Sequence, residues 1–276
     1  MQGIIIKNIS NDYTILSEKN IYICKARGKF RKEKTTPIVG DKCIFDEQKK
    51  YIIEILQRKT ELVRPPVSNI DQAFIITSVK EPDFSSNLLD KLLCIIEYNN
   101  IKPIICFTKL DLLDEKEKKY IKKIIEYYKK IGYQVFTNTE IKEISNTFKN
   151  KITVFTGQSG AGKSTLLNKL NKDLNLKTNE ISKALGRGKH TTRHVELIQM
   201  LDGLIADTPG FSSISFIDMK NEDIRDNFVE FNEYREKCEY KDCMHIDEKN
   251  CEIKKQIEQK NILESRYENY LKFIKR

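Results

Sequence analysis

The chain has 276 residues, of which 39% are hydrophobic and 32% charged, and its formal net charge is +9. This length suits about two domains, and 13 Phe and 12 Tyr are enough to fill a core, which excludes a largely disordered chain. No apolar run reaches the roughly 18 residues of a membrane helix, and the first residues lack the basic start of a signal peptide, so we expect a cytoplasmic protein that does not bind membranes.

The first 65 residues are basic and rich in β-forming side chains. They hold 14 Lys and Arg against 8 Asp and Glu, a balance that suits a polyanionic partner such as nucleic acid. Short runs with β-propensity, separated by turn residues, predict a small closed barrel of the OB type over residues 1–65. The runs are Gly3–Ile9, Tyr13–Leu16, Ile21–Ala26, Lys42–Phe45 and Tyr51–Leu56.

A basic loop lies between the third and fourth of these runs. Its positive side chains surround one aromatic ring, which is typical of a loop that grips a nucleic-acid backbone while the ring is free to stack on a base. A solvated basic loop without a ligand is the alternative, and a genome bias toward lysine would also explain the basicity of the chain as a whole. The candidate RNA-binding residues are Arg27, Lys29, Phe30, Arg31, Lys32 and Lys34.

Residues 66–218 alternate between strands and helices. Ala73–Val79 and Pro103–Phe107 are continuous apolar runs of the kind found in strands that are buried on both faces. Helical spacing over Ser86–Tyr98 and an acidic cap at the start of Asp114–Ile131 predict two helices between the strands. We therefore predict a doubly wound α/β domain with a largely parallel sheet. Further strands are predicted at Tyr133–Phe136, Ile152–Phe155, Val195–Met200 and Gly203–Ala206.

The pattern G-x-x-x-x-G-K-S follows one of these strands and precedes a predicted helix. Such a loop turns backbone N–H groups toward phosphate oxygens, while Lys163 reaches the β- and γ-phosphates and the hydroxyl of Ser164 binds Mg²⁺. The predicted nucleotide-binding residues of this loop are Gly157, Gln158, Ser159, Gly160, Ala161, Gly162, Lys163, Ser164 and Thr165.

Two later segments have the features of a γ-phosphate switch. Asp207 and Gly210 belong to an Asp-Thr-Pro-Gly sequence at a strand end, where the carboxylate can hold Mg²⁺ through water and the Gly210 N–H can sense the γ-phosphate. Upstream, Thr191 and Thr192 lie in a polar segment between glycines. Either threonine can complete the Mg²⁺ shell, and we favour Thr192.

The candidate base-reading sequence, Thr108-Lys109-Leu110-Asp111, lies upstream of the phosphate loop. The carboxylate of Asp111 can accept two hydrogen bonds from guanine N1–H and N2–H₂, and adenine offers no such pair of donors. The methylenes of Lys109 can cover the ring face. An ordinary strand-end turn is the alternative, but beside a phosphate loop the sequence predicts GTP and GDP as ligands. The usual order of GTPase motifs is then circularly permuted.

Hydrolysis needs a group that orients the attacking water, and many GTPases place a glutamine directly after the Asp-x-x-Gly sequence. Here that position is Phe211, which forms no hydrogen bond. His190, in the segment that also holds the two threonines, is the candidate catalytic residue, and a solvated histidine is the alternative.

A cluster of metal-binding residues lies near the C-terminus. Three cysteines and one histidine within a short polar stretch match the ligands of a structural Cys₃His zinc site. The remaining cysteines fall in apolar patterns and are expected to pack as small hydrophobic side chains. The predicted zinc ligands are Cys238, Cys243, His245 and Cys251.

These segments together resemble the RsgA family (the YjeQ/YloQ type), circularly permuted GTPases of bacterial small-ribosomal-subunit assembly. The resemblance covers essentially the whole chain: basic barrel, motif order, phosphate loop, the Gly-Arg-Gly-Lys-His-Thr-Thr-Arg segment, Asp-Thr-Pro-Gly-Phe and the cysteine cluster. It supports His190 as the catalytic residue, and the family accepts Thr108 where most GTPases have asparagine. Residues 137–139 match the usual second base contact poorly, and we assign no role to them.

The resemblance implies GTP hydrolysis coupled to late maturation of the small (30S) ribosomal subunit, with rRNA binding and stimulation by the subunit. We expect a monomer with an OB-type barrel over residues 1–65, a circularly permuted GTPase domain over 66–218 and a helical zinc domain over 219–276. Its cofactors would be GTP or GDP, Mg²⁺ and one structural Zn²⁺. Two alternatives stay open: an RNA-binding protein with GTP as a structural ligand, and a P-loop kinase or ATPase.

Overall fold

The chain begins with strands and ends with helices. A computed structural model describes residues 1–28, 30, 36–63, 66–173, 195–207, 215–216 and 219–275. The chain forms two compact units, and each is built from separate stretches of sequence. Unit 1 comprises Met1–Phe74, Thr139–Thr156 and Lys163–Ser213, and unit 2 comprises Ile75–Asn138, Gly157–Gly162 and Ile214–Arg276.

Unit 1 starts with a closed barrel. Its strands are β1 (Gln2–Ile9), β2 (Asp12–Ser17), β3 (Asn20–Ala26), β4 (Lys42–Asp46) and β5 (Tyr51–Ile55). They follow the order β1-β2-β3-β5-β4, and a pairing of β1 with β4 closes the barrel. Burial alternates along β2, as it must when one face of a strand is turned to the core. The OB-type barrel predicted from the sequence is confirmed.

The barrel core contains a residue that the sequence interpretation placed at the surface. Phe30 is 4% exposed and belongs to the same core cluster as Ile5, Ile15 and Phe45. The prediction of a free stacking ring at this position is therefore wrong. The physical reason is that a Phe side chain gains about 1.5–3 kcal/mol when it is moved from water into an apolar core.

The rest of unit 1 extends this sheet. Strands β11 (Ile152–Gly157) and β13 (Gly203–Asp207) are parallel, and β12 (Glu196–Met200) pairs antiparallel with β13 and with β1. Lys7 and Glu196 form an ion pair of 2.9 Å at the last pairing. A short ribbon of β6 (Glu61–Val63) and β7 (Pro66–Ser68) was not expected from the sequence. Unit 1 also contains α3 (Ile141–Asn146) and α4 (Lys163–Asp173).

Unit 2 contains two further helices of the α/β region, with the strands beside them. Strand β8 (Gln72–Ser78) is buried along its whole length and enters unit 2 at Ile75. It is followed by α1 (Ser86–Tyr98), β9 (Lys102–Thr108), α2 (Glu115–Lys130) and β10 (Gln134–Thr137), and β9 and β10 are parallel. Asp114 caps α2 through a capping box with Glu117. Both predicted helices are confirmed.

The C-terminal part of unit 2 consists of short helices around an aromatic core. These are α5 (Asn221–Asp226), α6 (Phe231–Tyr234), α7 (Glu252–Glu258) and α8 (Glu264–Ile274). Phe228, Phe231 and Tyr270 are fully buried there and pack against one another with ring centroids 5.2–5.4 Å apart. Within the described part of the chain, no helix has the length and apolarity to cross a bilayer.

Candidate nucleotide site and metal cluster

The phosphate loop is a turn between β11 and α4 that glycines make possible. Gly157 has φ +133°, and a Cβ atom there would lie 2.0 Å from the Ile76 carbonyl oxygen, so no other residue fits. Gly162 also has a positive φ, +92°, directly before Lys163, the first residue of α4. Lys163 and Ser164 are exposed. The start of α4 therefore presents backbone N–H groups together with an ammonium and a hydroxyl, which is the donor set that phosphates and Mg²⁺ require.

The base-reading sequence is joined to this loop by one hydrogen bond. Thr108 is the last residue of β9 and is 2% exposed. Its hydroxyl donates to the carbonyl oxygen of Ala161 over 2.6 Å. A threonine hydroxyl has a single proton, so this bond uses its donor. The structure thus gives Thr108 a part in holding two loops together.

The two residues predicted to touch the base follow Thr108 at the surface. Lys109 adopts the left-handed conformation, with φ 62°, and its ammonium contacts the carbonyl oxygen of Glu81. Asp111 is exposed and lies in a 3₁₀ turn over Leu110–Leu112. Within the described ranges its carboxylate has no hydrogen-bond partner. A free carboxylate beyond a strand end is able to accept both N–H groups of a guanine edge.

Several predicted residues cannot be placed. His190, Thr191, Thr192 and Gly210 lie outside the described residues, as do Lys29, Arg31, Lys32 and Lys34. Asp207 ends β13, as expected for the start of the switch, although only its backbone is described.

The predicted zinc ligands come together. One ligand atom from each of Cys238, Cys243, His245 and Cys251 lies within 4.8 Å of the others. His245 Nδ1 is 3.3 Å from the Cys251 sulfur and 3.7 Å from the Cys238 sulfur. A tetrahedron with zinc–sulfur bonds of about 2.3 Å has edges of about 3.8 Å. These four atoms can therefore hold one zinc ion.

Burial sets the electrostatics of the cluster. It lowers the pKa of His245 to about 4, and it raises the pKa of Cys243 to about 12. The imidazole is thus neutral, as a metal ligand must be, whereas buried thiolates need a cation beside them. All these cysteines are free thiols. The exposed Asp242 and Asp247 are not part of the cluster.

Neighbouring side chains hold the loop that carries His245. The carboxylate of Glu248 accepts the backbone N–H groups of Met244 and Ile246 over 2.6 and 2.7 Å. The hydroxyl of Tyr267 donates to the His245 carbonyl oxygen over 2.6 Å. These bonds fix the backbone on both sides of His245.

Sequence reasoning missed a second polar cluster, built around Arg266. This side chain is 1% exposed and pairs with Asp90 over 2.8 Å and with Glu230 over 2.6 Å. Tyr128 and Asn269 also donate to Asp90, over 2.5 and 2.7 Å. Burial opposes the charge of Arg266, but the carboxylates of Glu230 and Asp90 outweigh it and raise its pKa. Nothing in the local sequence marks these residues, which are far apart in the chain.

The barrel has a cavity beside its basic loop. It measures about 470 Å³ and opens between the turn at Ser10 and Asn11 and the end of β3. Arg27, an RNA-binding candidate, lines it, as does an edge of the buried Phe30. Lys25 and Arg27 are exposed, so the rim of the cavity is positively charged.

Together the barrel, the α/β region and the phosphate loop define a circularly permuted P-loop GTPase, because the base-reading strand precedes the phosphate-binding strand in the chain. The model of the RsgA GTPase matches residues 55–217, and the model of the RsgA N-terminal domain matches residues 2–52. The chain belongs to the RsgA family, and it is a GTP-hydrolysing enzyme.

Relatives and solved structures agree with this assignment. The chain is 47% identical to the small ribosomal subunit biogenesis GTPase RsgA of Enterococcus faecalis, over 99% of this chain and 94% of the relative. It is 49% identical to the protein named RsgA 1 of Listeria monocytogenes, over 99% and 96%. YloQ, described as a circularly permuted GTPase, superposes with a TM-score of 0.85 at 38% identity, over 99% of this chain and 93% of YloQ. YjeQ from Thermotoga maritima gives a TM-score of 0.86 at 33% identity, over 99% and 96%.

Proposed function

We propose that this GTPase acts in late maturation of the small ribosomal subunit, binds its rRNA and hydrolyses GTP faster when the subunit is present. The observation that carries this proposal is the similarity, over 99% of the chain, to proteins named for small ribosomal subunit biogenesis. The basic surplus in residues 1–65 supports an RNA partner.

We assign the contacts of the bound nucleotide as follows. The loop from Gly157 to Gly162 cradles the phosphates through its backbone N–H groups, and Lys163 neutralises charge on the β- and γ-phosphates. Ser164 and Thr192, with Thr191 as the alternative, would hold Mg²⁺, and a bound Mg²⁺ would supply positive charge beside the γ-phosphate. Asp111 selects guanine. His190 orients the attacking water, because Phe211 has no polar group for that task.

RNA contact is assigned to the barrel. Arg27 and Lys25 form a positive rim around a cavity that is large enough to receive part of a nucleotide. The buried ring of Phe30 contributes to the wall of this cavity and does not stack as a free platform. The basic side chains of residues 29–34 extend the same positive region along the sequence.

The C-terminal cluster is proposed to bind one structural Zn²⁺. Four ligand atoms already lie within 4.8 Å of one another, and Glu248 and Tyr267 hold the loop between them. Zinc would keep the thiolates of Cys243 and Cys251 charged in their buried environment. We expect about one zinc per chain by elemental analysis of the purified protein. Its loss in Cys251→Ser, but not in Cys94→Ser, would locate the metal here; wild-type protein without zinc would contradict the assignment.

The function is tested by the rate of GTP hydrolysis as isolated small ribosomal subunits are added. We expect a saturable rise, no rise with large subunits, and little hydrolysis by Lys163→Ala under either condition. A rate that small subunits leave unchanged would overturn the ribosomal role. If protein and subunits bind each other but GTP is not hydrolysed, the nucleotide would be a structural ligand instead.

A further inference from the structure

The outer face of helix α2 is a densely basic surface that the function above does not use. Seven exposed lysines lie on this helix of 16 residues, and the only exposed acids on it are Glu115 and Glu126. The lysines are Lys116, Lys118, Lys119, Lys122, Lys123, Lys129 and Lys130.

Only some of these lysines are neutralised by the protein itself. Lys118 pairs with Glu115 at 2.8 Å, and Lys122 lies 4.0 Å from Glu126. The third glutamate of the helix, Glu117, is engaged by Lys80 at 3.0 Å. Among the residues that the structure describes, the other five lysines have no carboxylate within 4.0 Å.

Three of the unpaired lysines form a line along the helix. With about 100° per residue, Lys119, Lys123 and Lys130 fall within about 40° of one another. At a rise of about 1.5 Å per residue, the line is about 16 Å long. Charges aligned over this length match an extended row of phosphates better than a single small anion.

The opposite face of α2 helps to distinguish between two anionic partners, RNA and a lipid surface. Basic amphipathic helices also bind membranes, but for this they insert an apolar face. Here that face is packed in the protein, since Ile121, Ile124, Tyr127 and Tyr128 are all buried. The helix exposes one large apolar side chain, Tyr120, which is 58% exposed, lies about 100° around the helix from Lys119 and is able to stack on a base. These features favour RNA over a lipid surface.

We propose that the outer face of α2 is a second RNA-binding surface, which contacts the phosphate backbone through Lys119, Lys123 and Lys130. It lies in unit 2, whereas the basic barrel belongs to unit 1. The inference rests on the proposed function only in taking the RNA to be that of the small ribosomal subunit. Contacts of this kind position the protein and carry no sequence information.

The test compares two double variants of the full chain. Lys119→Gln/Lys123→Gln removes two unpaired charges, and Lys118→Gln/Lys122→Gln removes the same number of charges from lysines that are paired with glutamate. Glutamine keeps the helix propensity in both variants. Binding to isolated small subunits and to a short RNA hairpin is measured over a range of salt concentrations, together with basal GTP hydrolysis as a check of folding.

The slope of log K against log salt concentration is negative. For the first variant we expect it to become less steep by about 1.5–2, the change for two lost phosphate contacts. The second variant should keep nearly the wild-type slope, and Lys119→Arg/Lys123→Arg should restore binding. Equal slopes for the two Gln variants would overturn the inference. If the wild type itself binds neither subunits nor hairpin, the proposed function fails, and this surface fails with it.

Discussion

The Arg266 cluster and the candidate nucleotide-binding segments are both made of polar side chains. The two regions differ in whether the partners of these side chains lie inside the protein. Arg266, Asp90 and Glu230 are all at most 4% exposed and bind one another. Lys163, Ser164 and Asp111 are exposed and await partners that are not part of the chain. A polar group whose hydrogen bonds are all made inside the protein holds the fold, whereas a polar group left open is able to bind a ligand.

The two regions also differ in the desolvation cost of their charged groups. A buried ion pair recovers its desolvation cost only when its geometry is good and its remaining hydrogen bonds are made, as they are around Asp90. An exposed ammonium pays no such cost before the ligand binds. Mutations should therefore separate stability from activity, and the following variants test that separation.

The largest effect is expected for Arg266→Met, which leaves two carboxylates buried without their cation. The free energy of unfolding should fall by about 3–5 kcal/mol, measured by urea denaturation. Lys272→Met, on the exposed side of the same helix α8, should change it little. If Arg266→Met is as stable as the wild type, the cluster does not hold the fold.

Lys163→Ala should show the reverse pattern. Because Lys163 is exposed, urea denaturation should give nearly the wild-type stability, while kcat/KM for GTP falls about 10²–10³-fold, the usual cost of losing one charge-stabilising donor. Lys169→Ala, on an exposed position of α4, is the matched control. A large loss of stability with activity retained would contradict the distinction.

Thr108 shares features of both regions. Its hydroxyl is hydrogen-bonded inside the protein, although the residue belongs to the candidate nucleotide site. Thr108→Val removes the donor to the Ala161 carbonyl, and we expect a loss of about 1–2 kcal/mol in stability. GDP affinity, measured by fluorescence titration, should also fall, since the two loops are no longer joined. Thr108→Ser keeps the hydroxyl and should behave like the wild type. Unchanged GDP affinity in Thr108→Val would show that the bond does not organise the site.

The smallest effect concerns Glu117, a partly exposed group with partners inside the protein. The backbone N–H of Asp114 and then the ammonium of Lys80 lower the pKa of Glu117. Its stabilising contribution is therefore present above the ordinary glutamate pKa of about 4.3 and is lost as the pH falls through the lowered value. The stability difference between wild type and Glu117→Gln should be constant near neutral pH and shrink below about pH 4.

Lys80→Gln separates the two causes of this shift. It keeps the bond from the Asp114 N–H, the larger cause, and should retain most of the pH dependence. Stability curves of wild type and Glu117→Gln that run parallel through the acid range would contradict the assignment.

Local chemistry explains which parts of the fold could be predicted. The barrel strands alternate in burial, and helix α2 begins at a capping box, so both leave a periodic signal in the sequence. The ribbon of β6 and β7 leaves none, because each strand has three residues and one of them begins with proline. Phe30 was misplaced for a similar reason: the residues around it are polar, and only the closed barrel determines that its ring is buried.

The phosphate loop, the permuted order of the motifs and the four candidate metal ligands could all be identified from the amino-acid sequence alone. In each of these, closely spaced residues carry their own chemistry: glycines for a tight turn, thiols and an imidazole for a metal. The hydrogen bond from Thr108 to the Ala161 carbonyl and the burial of Arg266 between Asp90 and Glu230 became visible only in the folded chain. Such bonds join residues that are distant in the chain, and their energy exists only once folding has excluded water from around them.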